Sequence, residues 1–215
     1  MKKNSILAAF ILLSVNYCQA QYELGDDVPD TRTKKESFAK LPKDDIRTDV
    51  ATFAMAGIDE SMGRADLKKI TFTSHTANSM TFEGEGVKAI VTTGLFDFNK
   101  HKIDYDEKYI TKIDKKTYYG GYPKMPKTTI SNITMIVGKD TVAIPSSAYS
   151  DLFNLNLFYK DKSGKERSTN MIYFSKFDNR IYLYLFSKDD TGSYEVTFVI
   201  HARKYERRIL DYGFL

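Results

Sequence analysis

The 215-residue sequence has a single cysteine, no tryptophan, three histidines and five prolines. A lone cysteine, Cys18, permits no intrachain disulfide and no thiolate metal cluster. His75, His101 and His201 lie far apart in sequence. None has another histidine three or four residues away, so the helical zinc motif is absent. No Gly-x-Ser-x-Gly occurs, and no Ser-x-x-Lys has its companion motifs. Gly84 and Gly86 lack the third glycine and following helix of a phosphate-cradling loop. Without tryptophan, the usual sugar-stacking platform is missing too. No apolar run approaches the ~20 residues that a membrane-spanning helix needs.

The longest apolar run is residues 6–15, behind Lys2 and Lys3 and ahead of Cys18, Gln19 and Ala20. A positive start, a short apolar stretch and small residues at the end are the parts of an export signal. Residues 1–20 are read as a signal peptide cleaved between Ala20 and Gln21. A lipoprotein acylated at Cys18 is the alternative. Tyr17 disfavours it, because acylation usually follows a small residue. Cleavage removes the only cysteine. The mature chain, expected in the periplasm or secreted, then holds together by core burial alone.

Charge excludes little and includes little. The chain has 32 basic and 28 acidic residues. Loss of Lys2 and Lys3 leaves 30 against 28, a net of about +2. The signs are interspersed, and no basic stripe suggests nucleic acid. Aromatics are the abundant class, with 15 Tyr and 14 Phe. Together with Thr, Ile and Val they point to pleated, half-buried surfaces.

Residues 21–45 are rich in charge and turn formers and poor in apolar side chains, as a flexible tether is. Residues 46–215 are expected to form the β domain. Its first segment, 46–57, fits a strand slightly better than a helix, although Ile46, Val50, Phe53 and Ala54 would share a helical face. Strands are predicted over 70–74, 79–85, 87–93, 95–98, 102–105, 109–113 and 117–119. Two glycines and two prolines over 120–126 cannot continue a central strand. Two subdomains, if present, meet near 120–127. Strands follow over 128–137, with a bulge near Asn132, and over 141–144, 155–159 and 171–174. One short helical turn is expected over 147–153, capped by Ser146 or Ser147.

The last stretch, 180–213, is the most regular. Ile181, Leu183 and Leu185 alternate with Tyr182, Tyr184 and Phe186, so both faces of this strand are apolar or aromatic and suit cover on both sides. A Gly-containing loop leads to Tyr194, Val196, Phe198 and Ile200 facing inward, with Glu195, Thr197 and His201 outward. A last strand places Tyr205, Arg207, Ile209 and Asp211 on one side and Arg208, Leu210 and Tyr212 on the other. Long alternating strands joined by short loops predict a mainly β fold: an antiparallel β-sandwich or a partly closed barrel.

The ending GSYEVTFVI…KYERRILDYGF resembles that of a group of exported bacterial proteins to which no activity is assigned. TFEGEGVKAIV, PKTTI and IPSSAYSDLF are similar to the same group. The resemblance implies export and a common β fold, and it carries no functional residues. Ala202-Arg203-Lys204 stands where an Asp-Gly type of turn is expected, which predicts a distorted hairpin.

Candidate chemistry is sparse. Asp104, Asp106 and Glu107 cluster, as do Asp189 and Asp190. A carboxylate pair of this kind can hydrolyse a glycoside, but acids in β loops are ordinarily solvated turn residues. Residues 161–166 have the wrong ligand spacing for calcium, and lysines that repel it. The expectation is therefore a non-enzymatic binding or interaction module of the cell envelope, with no cofactor, no metal and no catalytic residue. Its partner would be an envelope protein or a glycan, not nucleic acid. An envelope hydrolase using a carboxylate pair or distant histidines is the alternative. A small outer-membrane barrel is a further one. Glu195, His201, Arg208 and Asp211 are the polar residues to inspect on the C-terminal strands.

Overall fold

The computed structural model describes Arg47, Asp49 and residues 67–212 except 177, 190 and 191. The expected signal peptide, its cleavage at Ala20 and Gln21, Cys18 and the tether over 21–45 lie outside these residues. Within them the chain folds into two five-stranded antiparallel sheets and two short ribbons. Sheet I has the order β1-β11-β12-β13-β14, formed by Leu67–Ile70, Met171–Ser175, Ile181–Asp189, Gly192–His201 and Lys204–Tyr212. Sheet II has the order β2-β3-β4-β7-β8, formed by Phe72–His75, Ser79–Gly84, Val87–Leu95, Thr128–Val137 and Asp140–Val142. The ribbons are β5 with β6 (Ile103–Asp106, Tyr109–Ile113) and β9 with β10 (Tyr159–Lys160, Glu166–Arg167). Each sheet has two edges, so neither closes into a barrel. The fold is sandwich-like, and the closed-barrel alternative is set aside. No helix among the described residues is long and apolar enough to cross a membrane.

The core lies between the sheets. Met80, Phe82, Ala89 and Met135 of sheet II meet Leu183, Val196 and Phe198 of sheet I in one buried cluster. These positions alternate along their strands, as a two-residue period requires. The strand expected over 70–74 is β2 from Phe72 onward, while Ile70 ends β1, and the chain crosses from sheet I to sheet II at Thr71. β3 and β4 are joined by Glu85 and Gly86, both left-handed at φ 53° and 73°. Two successive left-handed residues make the hairpin turn whose twist matches the flanking strands. The bulge expected near Asn132 is present. Thr92 pairs with Asn132 and Thr93 with Ile130, so Ser131 is the extra residue.

β4 pairs with β7, so the break at 120–126 lies in the excursion that joins these two neighbouring strands of sheet II. Leu95–Phe98 and Thr117–Tyr119 are not strands: Phe98–Lys100 is a 3-10 turn, and Tyr119 makes only an isolated bridge to Leu152. The expected helical turn is a 3-10 turn at Ser146–Ala148, and its N-cap is Pro145 with no side-chain cap bond. Residues 155–159 were expected as a strand, yet only Tyr159 and Lys160 at their end are in one. Two asparagine side chains replace the ladder there. Asn156 Oδ1 accepts from Lys188 N–H at 2.8 Å, and Asn170 Oδ1 accepts from Phe186 N–H at 2.9 Å. With those donors satisfied, the backbone of 155–158 need not pair with β12.

The β13–β14 hairpin is distorted as expected. Ala202 and Arg203 both take left-handed φ, 48° and 62°, without a glycine. Val199 pairs with Arg207 and Ile200 with Tyr205, leaving Glu206 as a bulge residue. The bulge turns Tyr205 toward the core, where its ring lies 6.4 Å from Phe198, rather than to the side of Arg207.

The second face of sheet I is also buried. Tyr173, Tyr182, Tyr184, Val199 and Ile209 form a cluster there. Glu195 and Thr197, expected as polar outward positions, are 6% and 1% exposed, and Asp211 is 2% exposed. Asp49 reaches this face and is fully buried, accepting from Tyr182 Oη and Arg207 Nη2 at 3.0 Å each. Arg47 and Asp49 are helical, against the strand expected over 46–57. That places the helical period ahead of the strand period at those two positions.

Candidate functional site: a basic protrusion at one end of the sandwich

The chain leaves sheet II at Leu95 and re-enters at Thr128, and these two residues are paired partners. Everything between, residues 96–127, is one excursion with a small core of its own. Phe96, Ile110, Ile113 and Tyr118 pack there against Phe153 of the sandwich. The rings of Phe96 and Phe153 meet edge-on at 5.1 Å. The β5–β6 ribbon is held to the returning loop by Ile110 N–H donating to Pro123 C=O at 3.1 Å.

Two glycines allow that loop to pass close to the body. A Cβ on Gly120 would stand 2.1 Å from the Phe153 carbonyl oxygen, and one on Gly121 would stand 2.5 Å from Asn154 Nδ2. Both have φ near +90°, which side chains rarely tolerate. Asn154 completes the joint: its Oδ1 accepts from the N–H groups of Lys127 at 2.8 Å and Thr128 at 3.2 Å.

At the base of the protrusion is a cleft lined by His101, Asp114, Lys116, Tyr118, Ser150 and Asp151, among others. His101 stacks on Phe96 at 4.7 Å and bonds through Nδ1 to Asp114 Oδ2 at 2.7 Å. Asp114 Oδ1 also accepts from Lys102 N–H at 2.8 Å. The bond from His101, and then that from Lys102, hold the Asp114 carboxyl below its ordinary range. Asp151 is bound by Arg208 through two contacts of 2.6 and 2.7 Å. Asp114 is thus favoured as an anion, and Asp151 is engaged by Arg208. A glycosidase acid needs the opposite, a carboxyl kept protonated near neutral pH. The cleft holds about 80 Å³, room for roughly two or three waters at ~30 Å³ each. Ligand pockets are several times larger.

The protrusion's surface is more distinctive than its cleft. Residues 95–127 contain eight lysines against five acids, and no arginine. All eight lysines are exposed. Only Lys100 makes an ion pair, with Asp97 at 3.4 Å, among the described residues. Large apolar side chains are exposed here as well: Leu95 at 88%, Phe98 and Tyr122 at 53%, Tyr105 at 57% and Tyr109 at 44%. Tyr159 is the sixth such residue described and the only one elsewhere.

The other polar residues singled out in the sequence fall into place as scaffold or turn. Asp106 and Glu107 sit at the solvated tip of the β5–β6 ribbon, and part-buried Asp104 pairs with Lys112 along it, all three away from the cleft lining. Asp190 is outside the described residues, and Asp189 ends β12. His75 bonds to Glu166 at 2.8 Å between the rings of Phe72 and Phe158. His201 bonds to Glu206 at 3.0 Å. Glu195 accepts from Tyr184 Oη at 2.8 Å within the buried face of sheet I. The three histidines therefore stand in three separate places. No group of three metal-ligating side chains occurs among the described residues. The lysine excess over 95–127 was countable in the sequence but hidden by the interspersed whole-chain charge. No family model matches the chain, and no match was found among curated proteins or solved structures.

Proposed function

We propose that the protein is an exported, non-enzymatic binding module of the cell envelope, and that residues 95–127 are its binding surface. One observation carries this: among the described residues, five of the six exposed large apolar side chains lie in this stretch, beside eight exposed lysines. Stability does not require either feature. Apolar side chains gain by burial, and isolated surface charges contribute little. Exposed apolar groups gathered in one region mark interaction sites. The expected signal peptide supports an envelope location.

Photo-crosslinkers placed at Phe98 and Tyr122 should capture envelope components, and one at Lys139 on the β7–β8 turn should not. Equal capture at all three positions, or none, would remove the assignment. The N-terminus of the mature protein should be Gln21. A chain beginning at Met1, or an acylated Cys18, would contradict the cleavage site.

A second reading rests on the His101–Asp114 pair. Nδ1 is engaged by the carboxylate, as in a base oriented for nucleophilic catalysis, and Ser150 lines the same cleft. No hydrogen bond joins Ser150 to His101 among the described residues. Ester turnover abolished by both His101→Ala and Ser150→Ala would establish this reading in place of the first.

A further inference from the structure

We infer that the binding surface takes an anionic lipid bilayer, with Leu95 and Phe98 entering the interface and Lys100, Lys102 and Lys127 meeting the headgroups. This rests on the reading of residues 95–127 as a binding surface and names its ligand.

The residues named are neighbours. Leu95 ends β4, and Phe96 N–H donates to Lys127 C=O at 2.9 Å, which sets Lys127 beside it. Phe98 and Lys100 belong to the next 3-10 turn, closed by His101 N–H donating to Phe98 C=O at 3.2 Å. Lys102 follows directly, its backbone fixed by Asp114. Asp97 caps this turn through Asn99 N–H at 3.2 Å and pairs with Lys100, so its charge is partly spent within the turn. Asp106 and Glu107 occupy the far end of the ribbon. Their charge opposes insertion of that tip and favours approach by the base.

Three features select lipid over other anionic partners. The first is the kind of apolar group. Leu95, at 88% exposure, has no flat face for a sugar and no polar tip. An aliphatic side chain standing in water gains most from hydrocarbon. The second is the absence of arginine between 95 and 127, although the chain has eight. Arg is the residue of bidentate recognition of defined carboxylates or phosphates, and it is favoured at protein hot spots. Lysine is a mobile point charge suited to a diffuse anionic surface. Its stem can lie along apolar surface while the ammonium reaches outward. The third is Tyr122, exposed beside Tyr118 of the basal cleft with ring centroids 6.0 Å apart and of a residue type enriched at membrane–water boundaries.

Co-sedimentation tests this with the folded full-length mature chain. The probes are vesicles of phosphatidylglycerol with phosphatidylethanolamine, and vesicles of phosphatidylcholine alone. Binding is expected to the anionic vesicles only, weakening as salt shortens the screening length from about 10 Å at 0.1 M to about 3 Å at 1 M. Lys100→Glu with Lys127→Glu should weaken it roughly tenfold or more, and Lys139→Glu should leave it unchanged. Leu95→Asp with Phe98→Asp should also abolish it, with the melting temperature kept. Equal binding to phosphatidylcholine, no binding to either vesicle, or indifference to both double variants would overturn the inference. If vesicles fail to bind while crosslinkers at Phe98 still capture an envelope protein or glycan, the lipid falls and the binding surface stands. If both fail, the surface falls too.

Discussion

The sandwich body and the protrusion treat the same residue types in opposite ways. In the body, the largest side chains are sealed: Phe82, Phe198, Tyr182 and Tyr194 are each 1% exposed or less. Its arginines are paired too. Arg180 faces Asp178, Arg203 faces Asp140, Arg207 faces Asp49 and Arg208 faces Asp151. In the protrusion, Leu95, Phe98 and Tyr122 stand in solvent, and the cationic side chains are exposed lysines with no arginine among them. Folding explains the first arrangement, because burial is favourable and a buried charge must be paired. It does not explain the second. A region that departs from these rules while keeping a small core of its own is where function is to be sought.

The contrast can be broken by variants that should disturb only one side of it. The largest effect is expected in the body. Phe198 is fully buried between the sheets. Phe198→Ala should cost roughly 3–5 kcal/mol in a denaturant melt, without weakening vesicle binding by the molecules that remain folded. An unchanged melt would refute the core placement. Next comes the joint. Gly120→Ala puts a methyl 2.1 Å from a backbone oxygen at a left-handed φ of +91°. Strain and overlap together should cost roughly 2–5 kcal/mol, and crosslinking at Tyr122 should be altered with it.

A smaller effect sharpens the protrusion's own core. Burial pushes the Tyr118 phenol up to about 12, with Tyr122 nearby adding to the shift. The unfolded phenol titrates near ~10, so folding favours the neutral form. This contribution is fully present below ~pH 10 and is lost as pH rises through about 12. Denaturation midpoints measured above ~pH 10 should fall less steeply in Tyr118→Phe than in the native sequence. Parallel slopes would show that Tyr118 is not the group responsible. The smallest effect belongs to the solvated face of sheet II, where Lys88 pairs with Glu83 at 3.2 Å. Lys88→Ala should change stability by less than ~1 kcal/mol, as exposed ion pairs ordinarily do.

The body was legible in sequence wherever burial is one-sided or complete along a whole strand. In β4, Val87, Ala89, Val91 and Thr93 are buried in strict alternation. In β12, Tyr182 and Leu183 are both buried, as expected from two apolar faces. Legibility failed where a side chain took over a backbone's role. Nothing in the period of 155–159 shows that Asn156 and Asn170 will satisfy β12. Nor does the alternation over 70–74 show a change of sheet at Thr71. Asp49 escaped notice because its partners, Tyr182 and Arg207, lie far along the chain. Glu195, Arg208 and Asp211 suggested a polar trim, and all three proved to be buried. The candidate site was missed for a related reason. Composition alone does not set Tyr105, Tyr109 and Tyr122 apart from the other tyrosines, and only the tertiary arrangement shows them exposed.

The most direct measurement pairs stability with binding in one variant, Leu95→Asp with Phe98→Asp. The melting temperature should match the native protein, since neither side chain is buried, while sedimentation with anionic vesicles should be lost. A variant that still binds those vesicles as the native protein does, or that loses binding only because it no longer folds, would contradict the separation of a stabilising body from a binding protrusion.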